Sequence, residues 1–139
     1  MAKKIREVMT DHPVTVSPGT SVREVAALMR EHDVGDVLVV DGDRLLGLIT
    51  DRDLVVRAVG VGRDPASTPV GEICSPDLVT VGPDDDEGRA VQLMREHAIR
   101  RLPVVADGRP LGVVSIGDLA IDRDERSALA DISAAPPNR

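Results

Sequence analysis

Residues 14–54 of this chain repeat as residues 79–119 without a gap, and 16 of the 41 paired positions are identical. Val14-Thr15-Val16 returns as Val79-Thr80-Val81. Leu28-Met29-Arg30-Glu31-His32 returns unchanged as Leu93-Met94-Arg95-Glu96-His97, and Gly47, Asp53 and Leu54 return as Gly112, Asp118 and Leu119. A duplication of this length demands a fold made of two like units. One unit of about 50 residues hides too little surface to stand well alone. Two are therefore expected to share an apolar core about a pseudo-twofold axis.

Within each unit the pattern reads strand, helix, strand, tight turn, strand, helix. In the first copy a short strand at 14–16 is closed by Ser17-Pro18-Gly19. Val22, Val25, Ala26 and Met29 then recur at helical spacing over 21–32, with Ser21 and Glu24 placed as a capping box. Strands at 37–40 and 45–50 flank the tight turn Asp41-Gly42-Asp43-Arg44, and a helix over 51–59 stops at Gly60. Ahead of the first copy, residues 3–9 suit a short amphipathic helical turn, ended before Pro13. The fold class is thus α+β, with three-stranded repeats at 5–60 and 71–125. A Gly/Pro linker is expected at 61–70, and a tail at 126–139 whose end is expected to be disordered.

The stretch that carries chemistry is Gly47-Leu48-Ile49-Thr50-Asp51-Arg52-Asp53-Leu54, repeated as Gly112-Val113-Val114-Ser115-Ile116-Gly117-Asp118-Leu119. Each runs from a buried strand into the first turn of a helix, where unpaired N–H groups and the helix dipole favour an anion. The Thr50/Asp53 and Ser115/Asp118 spacing also fits a capping box, in which the two side chains satisfy the helix itself. The two readings are compatible.

Composition removes several function classes. The chain has no Phe, Tyr or Trp and a net charge of −7, which opposes both base stacking and a phosphate-backbone footprint, so no nucleic-acid partner is expected. No apolar run approaches the ~20 residues that span a bilayer, and the basic N-terminus lacks a signal-peptide core, so no membrane partner is expected either. Cys74 is the only cysteine, which fits a reducing cytoplasm, and it reads as a small apolar residue. His32 and His97 sit where a helix C-terminus favours them, with no ligand at metal spacing. Met9, Met29 and Met94 are expected to fill gaps in an aliphatic core, and Asp84-Asp85-Asp86-Glu87 to compensate a helix dipole. No nucleophile triad, metalloprotease motif, P-loop or dinucleotide fingerprint is present, so an enzyme is not expected.

Gly-x-x-Thr-x-x-Asp at 47–53, Gly-x-x-Ser-x-x-Asp at 112–118 and Arg101-Leu102-Pro103-Val104-Val105 together resemble a tandem pair of CBS (cystathionine-β-synthase-type) domains, often called a Bateman module, over residues 5–125. That resemblance implies an adenosine-containing regulatory ligand (AMP, ADP, ATP or S-adenosylmethionine) in clefts between the repeats. It also implies a disc-shaped homodimer that signals to a regulated protein. By the same resemblance Asp53 and Asp118 would accept ribose hydroxyls, and Thr50 and Ser115 would donate to a phosphate. Thr15 and Thr80 would line the adenine pocket. Arg100 and Arg101 would supply charge to a phosphate, or else form a solvated strand end. The first repeat carries Gly35 and Asp36 instead, so the two sites are expected to differ toward phosphorylated ligands. The alternative is a homodimeric scaffold with empty clefts; a metal or redox sensor has only Cys74 and three histidines in its favour.

Overall fold

The computed structural model describes residues 3–74 and 78–123, together with 132, 134 and 135; most of the tail at 126–139 therefore lies outside the described residues. The elements run α1 (Ile5–Val8), β1 (Thr10–Asp11), β2 (Thr15–Val16), α2 (Val22–His32), β3 (Asp36–Asp41), β4 (Arg44–Thr50) and α3 (Asp51–Leu54). A π-helical turn Val55–Val59 and a 3₁₀ turn Val70–Glu72 come next, then α4 (Glu87–His97), β5 (Arg101–Ala106), β6 (Arg109–Ser115) and α5 (Ile116–Arg123).

The chain divides into two compact units, and these interleave the repeats. One unit is Pro13–Leu78; in the other, the chain up to His12 joins the segment from Val79 onward. The reason is visible in the cores. Ile5 is fully buried and belongs with Val81, Ala90, Leu93, Met94, Leu102, Val104, Val114 and Leu119 of the second repeat. Val70 and Ile73, which stand in the same register ahead of the second repeat, belong with Val16, Val22, Val25, Met29, Val37, Val39 and Ile49 of the first. Each repeat thus donates its opening turn to the other repeat's core. The duplication therefore extends upstream to 5–9 and 70–74, where only Glu7 and Glu72 are identical.

In the first-repeat unit β3 is the central strand, parallel to β2 and antiparallel to β4. In the second-repeat unit β6 is central, antiparallel to both β5 and β1. The hairpins match down to a β-bulge at Val39/Val40 and at Val104/Val105. The second hairpin turns through Asp107 and Gly108, both at positive φ, the pairing that suits a two-residue turn.

The strand expected at 79–81 is reduced to a single bridge between Val81 and Val104. In the first repeat the Leu38 N–H donates to the Val14 carbonyl at 2.9 Å, whereas Pro103 holds the equivalent position and has no N–H to give. The helix expected over 51–59 is α-helical only through Leu54 and then widens to π geometry, Gly60 N–H donating to the Val55 carbonyl at 2.7 Å. Of the Ser21/Glu24 capping box only one half forms, Glu24 N–H donating to Ser21 Oγ at 3.1 Å.

The Gly/Pro segment expected as a linker is tied down along its length. Arg23 and Val22 N–H groups donate to the Pro65 and Thr68 carbonyls, Val70 N–H donates to Thr20, and Thr68 is buried with its hydroxyl on the Asp64 carbonyl. The acidic run at 84–87 caps and docks at once. Asp86 accepts from Gly88 N–H at the start of α4 and Asp85 from Gly82 N–H, while Asp84 pairs with Arg6 at 2.8 Å. Met29 and Met94 are core residues, as expected of a chain without aromatics.

Candidate functional site

Both motifs form closed reciprocal boxes. Asp53 N–H donates to Thr50 Oγ1 at 3.2 Å, and Thr50 N–H donates back to Asp53 Oδ2 at 2.9 Å. In the second repeat Asp118 N–H donates to Ser115 Oγ at 3.1 Å and Ser115 N–H to Asp118 Oδ2 at 2.9 Å. A carboxylate clamped through one oxygen is fixed in orientation and keeps the other oxygen available as an acceptor. All four side chains are half-buried. The box is built the same way twice because both copies end a buried strand on a hydroxyl residue and place the carboxylate at the third helical position.

The sheets bring the charged pair to the motif. In the β3–β4 ladder Asp36 stands opposite Thr50; in the β5–β6 ladder Arg101 stands opposite Ser115. The preceding carbonyls complete the junction, Gly35 accepting from Asp51 N–H at 3.0 Å and Arg100 from Ile116 N–H at 2.9 Å. The Gly35/Asp36 and Arg100/Arg101 difference read from the sequence is therefore a difference at the motif itself. Arg100 is exposed and Arg101 half-buried. Thr15 lies on β2, with β3 between it and the strand of Thr50, and its side chain is exposed. Thr80 is exposed in an irregular stretch beside the Val81 bridge.

Three residues escaped the sequence reading. Arg57 lies one helical turn past Asp53, its Nε 3.7 Å from Asp53 Oδ1 and its Nη1 donating to the Ile73 carbonyl at 3.2 Å. The repeat equivalent of Arg57 is Asp122, which pairs with Lys3 at 2.5 Å. The i,i+4 spacing from each motif carboxylate was the available signal, but positions 57 and 122 fall three residues beyond the matched stretch. Asp122 raises the Lys3 amine above its ordinary value by hydrogen bonding and charge. Burial raises the Cys74 thiol likewise, so Cys74 is a weakly ionised packing residue.

A shallow cavity of about 350 Å³ lies beside Arg57, lined also by Val56, Val61, Arg63, Glu72, Ile73 and Cys74. Its second arginine is already paired, Arg63 to Glu72 at 2.9 Å. Among the described residues no three His, Cys, Asp or Glu side chains stand together as metal ligands, and no helix is long and apolar enough to cross a membrane.

Comparison with known proteins agrees with this architecture. The CBS domain family model matches residues 5–60 and again residues 70–121. The CBS domain-containing protein YhcV of Bacillus subtilis (strain 168) is 41% identical over 133 residues, covering 93% of this chain and 94% of YhcV. A putative signal-transduction protein with CBS domains from Burkholderia ambifaria MC40-6 superposes with a TM-score of 0.82 at 30% identity, covering 90% of this chain and 96% of that one. The crystal structure of Hypoxic Response Protein I with two coordinated zinc ions gives a TM-score of 0.78 at 31% identity, over 86% and 98% of the two chains. With both copies matched and both three-stranded sheets reproduced in such relatives, the chain belongs to the CBS domain family, as a tandem pair.

Proposed function

We propose that this chain is a stand-alone regulatory module that binds an adenosine-containing ligand (AMP, ADP, ATP or S-adenosylmethionine) at its Thr/Ser-x-x-Asp motifs and signals to a protein partner. The observation that carries the reading is the pair of clamped carboxylates, Asp53 and Asp118, each held through Oδ2 by its own box. A carboxylate fixed in this way meets the two O–H groups of a vicinal diol without first being ordered. Thr50 and Ser115 stand at the same junctions to donate to a phosphate, with Arg101 across the ladder from Ser115 adding charge. Thr15 and Thr80, with aliphatic neighbours, would meet the adenine, and Arg100 would extend the positive edge. The role is regulatory rather than catalytic, and a nucleotide of the cytoplasm is the natural signal.

Self-association belongs to the same proposal. Val55, Val56 and Val59 on the π-helical turn and Val61 just after it are between 49% and 66% exposed, a surface that a homodimer would cover. A ligand favouring one dimer arrangement over another would shift the population and so report itself.

One observation favours the scaffold reading instead: the reciprocal boxes satisfy both carboxylates' Oδ2 atoms and both helix starts from within the chain. A thermal-shift panel of AMP, ADP, ATP, S-adenosylmethionine and NAD separates the two readings. Binding predicts stabilisation of about 2.7 kcal/mol at a hundredfold excess over the dissociation constant. No shift with any of the five at millimolar concentration would leave the scaffold.

A further inference from the structure

The two motif carboxylates differ in what holds their second oxygen. Asp53 uses Oδ2 for the Thr50 N–H, and its Oδ1 faces the guanidinium of Arg57 at 3.7 Å. That guanidinium is anchored from behind by the Ile73 carbonyl, so it does not swing freely. Asp118 uses Oδ2 for the Ser115 N–H, and among the described residues nothing pairs with its Oδ1. Where Arg57 would recur, the second repeat has Asp122, and its charge is taken up by Lys3. The ladder positions differ in the same sense: Asp36 faces Thr50, and Arg101 faces Ser115.

We propose that Arg57 is a specificity-determining residue that occupies the first motif's carboxylate in place of a diol, so that the Asp118 site fills first and the Asp53 site only at higher ligand concentration. This rests on the adenosine reading above. The chemistry is competition for one charged oxygen, which Arg57 at 3.7 Å offsets as an ion pair without a hydrogen bond. A ribose hydroxyl reaching Asp53 Oδ1 must displace or share an arginine already drawn to it, while the same hydroxyl meets Asp118 Oδ1 unopposed. Arg57 is half exposed, so the opposition is modest, of the size of a surface ion pair. It discriminates between the two sites without closing either.

The test is calorimetric titration of the full chain with adenosine, which carries no phosphate to interact with arginine. Asp→Asn at either motif keeps the capping acceptor and removes the charge, so Asp118→Asn reports the first site and Asp53→Asn the second. Asp53→Asn is expected to keep the tighter binding and Asp118→Asn the weaker. Adding Arg57→Gln to Asp118→Asn is expected to tighten adenosine about two- to fivefold. Added to Asp53→Asn, the same substitution reports the second site and serves as the control, because a general effect on folding would alter both. Unchanged or weaker adenosine binding on adding Arg57→Gln to Asp118→Asn overturns the assignment of Arg57. Absence of any adenosine heat from the unsubstituted chain overturns the adenosine reading itself and this inference with it.

Discussion

At the scale of single residues, the capping and ligand readings of the motif were both legible in the sequence, and the structure realises the capping one in full. Asp53→Ala and Asp118→Ala should therefore each cost about 0.5–2 kcal/mol in urea unfolding with no nucleotide present, because each removes a cap acceptor. Charge at the ladder position was legible too, since Asp36 and Arg101 occupy aligned sites. Arg57 was not, because it lies past the stretch over which the copies visibly agree. Cys74 yields a pH-dependent prediction. Burial favours its neutral thiol, so the folded pKa stands above the unfolded one. The associated stability is fully present below the unfolded thiol pKa and falls away as pH rises through the window up to the folded value. Iodoacetamide at pH 8 should accordingly modify the folded chain more slowly than the urea-unfolded chain; equal rates would contradict a packed thiol.

At the scale of elements, helices α2 and α4 and both hairpins followed from periodicity and turn chemistry, and they recur with the same left-handed C-caps, at Asp33 and Ala98. The strand at 79–81 did not follow, because a backbone donor lost at Pro103 is invisible to a pattern of apolar side chains. Nor did the exchange of opening turns, since residues 5–9 and 70–74 share little but apolar spacing. That exchange has a mechanical requirement at Gly112. A Cβ there would collide with the Thr10 carbonyl, where β1 pairs with β6, and would meet Met9 Sδ at 3.0 Å. Gly112→Ala should destabilise the fold by about 1–3 kcal/mol, the range for overpacking, read by chemical denaturation. A neutral effect would mean that β1 is not held against β6.

The whole molecule is two like units that present two like carboxylates in unlike settings. The duplication made the pairing legible; which settings differ, and by which charges, required the ladders and the ion pairs. Self-association is the first expectation at this scale. The exposed valines at 55–61 should place the chain as a dimer in light scattering at micromolar concentration, and Val55→Lys with Val59→Lys should shift it toward monomer. A monomer without substitutions would remove that part of the proposal. The central claim is that the motif carboxylates bind the ribose of an adenosine ligand, and titration calorimetry with AMP tests it most directly. Saturable binding is expected, weakening by about ten- to a hundredfold when both Asp53 and Asp118 are replaced by Asn, which keeps the caps. AMP binding of undiminished affinity in that double variant, or no binding to the unsubstituted chain at millimolar AMP, would contradict it.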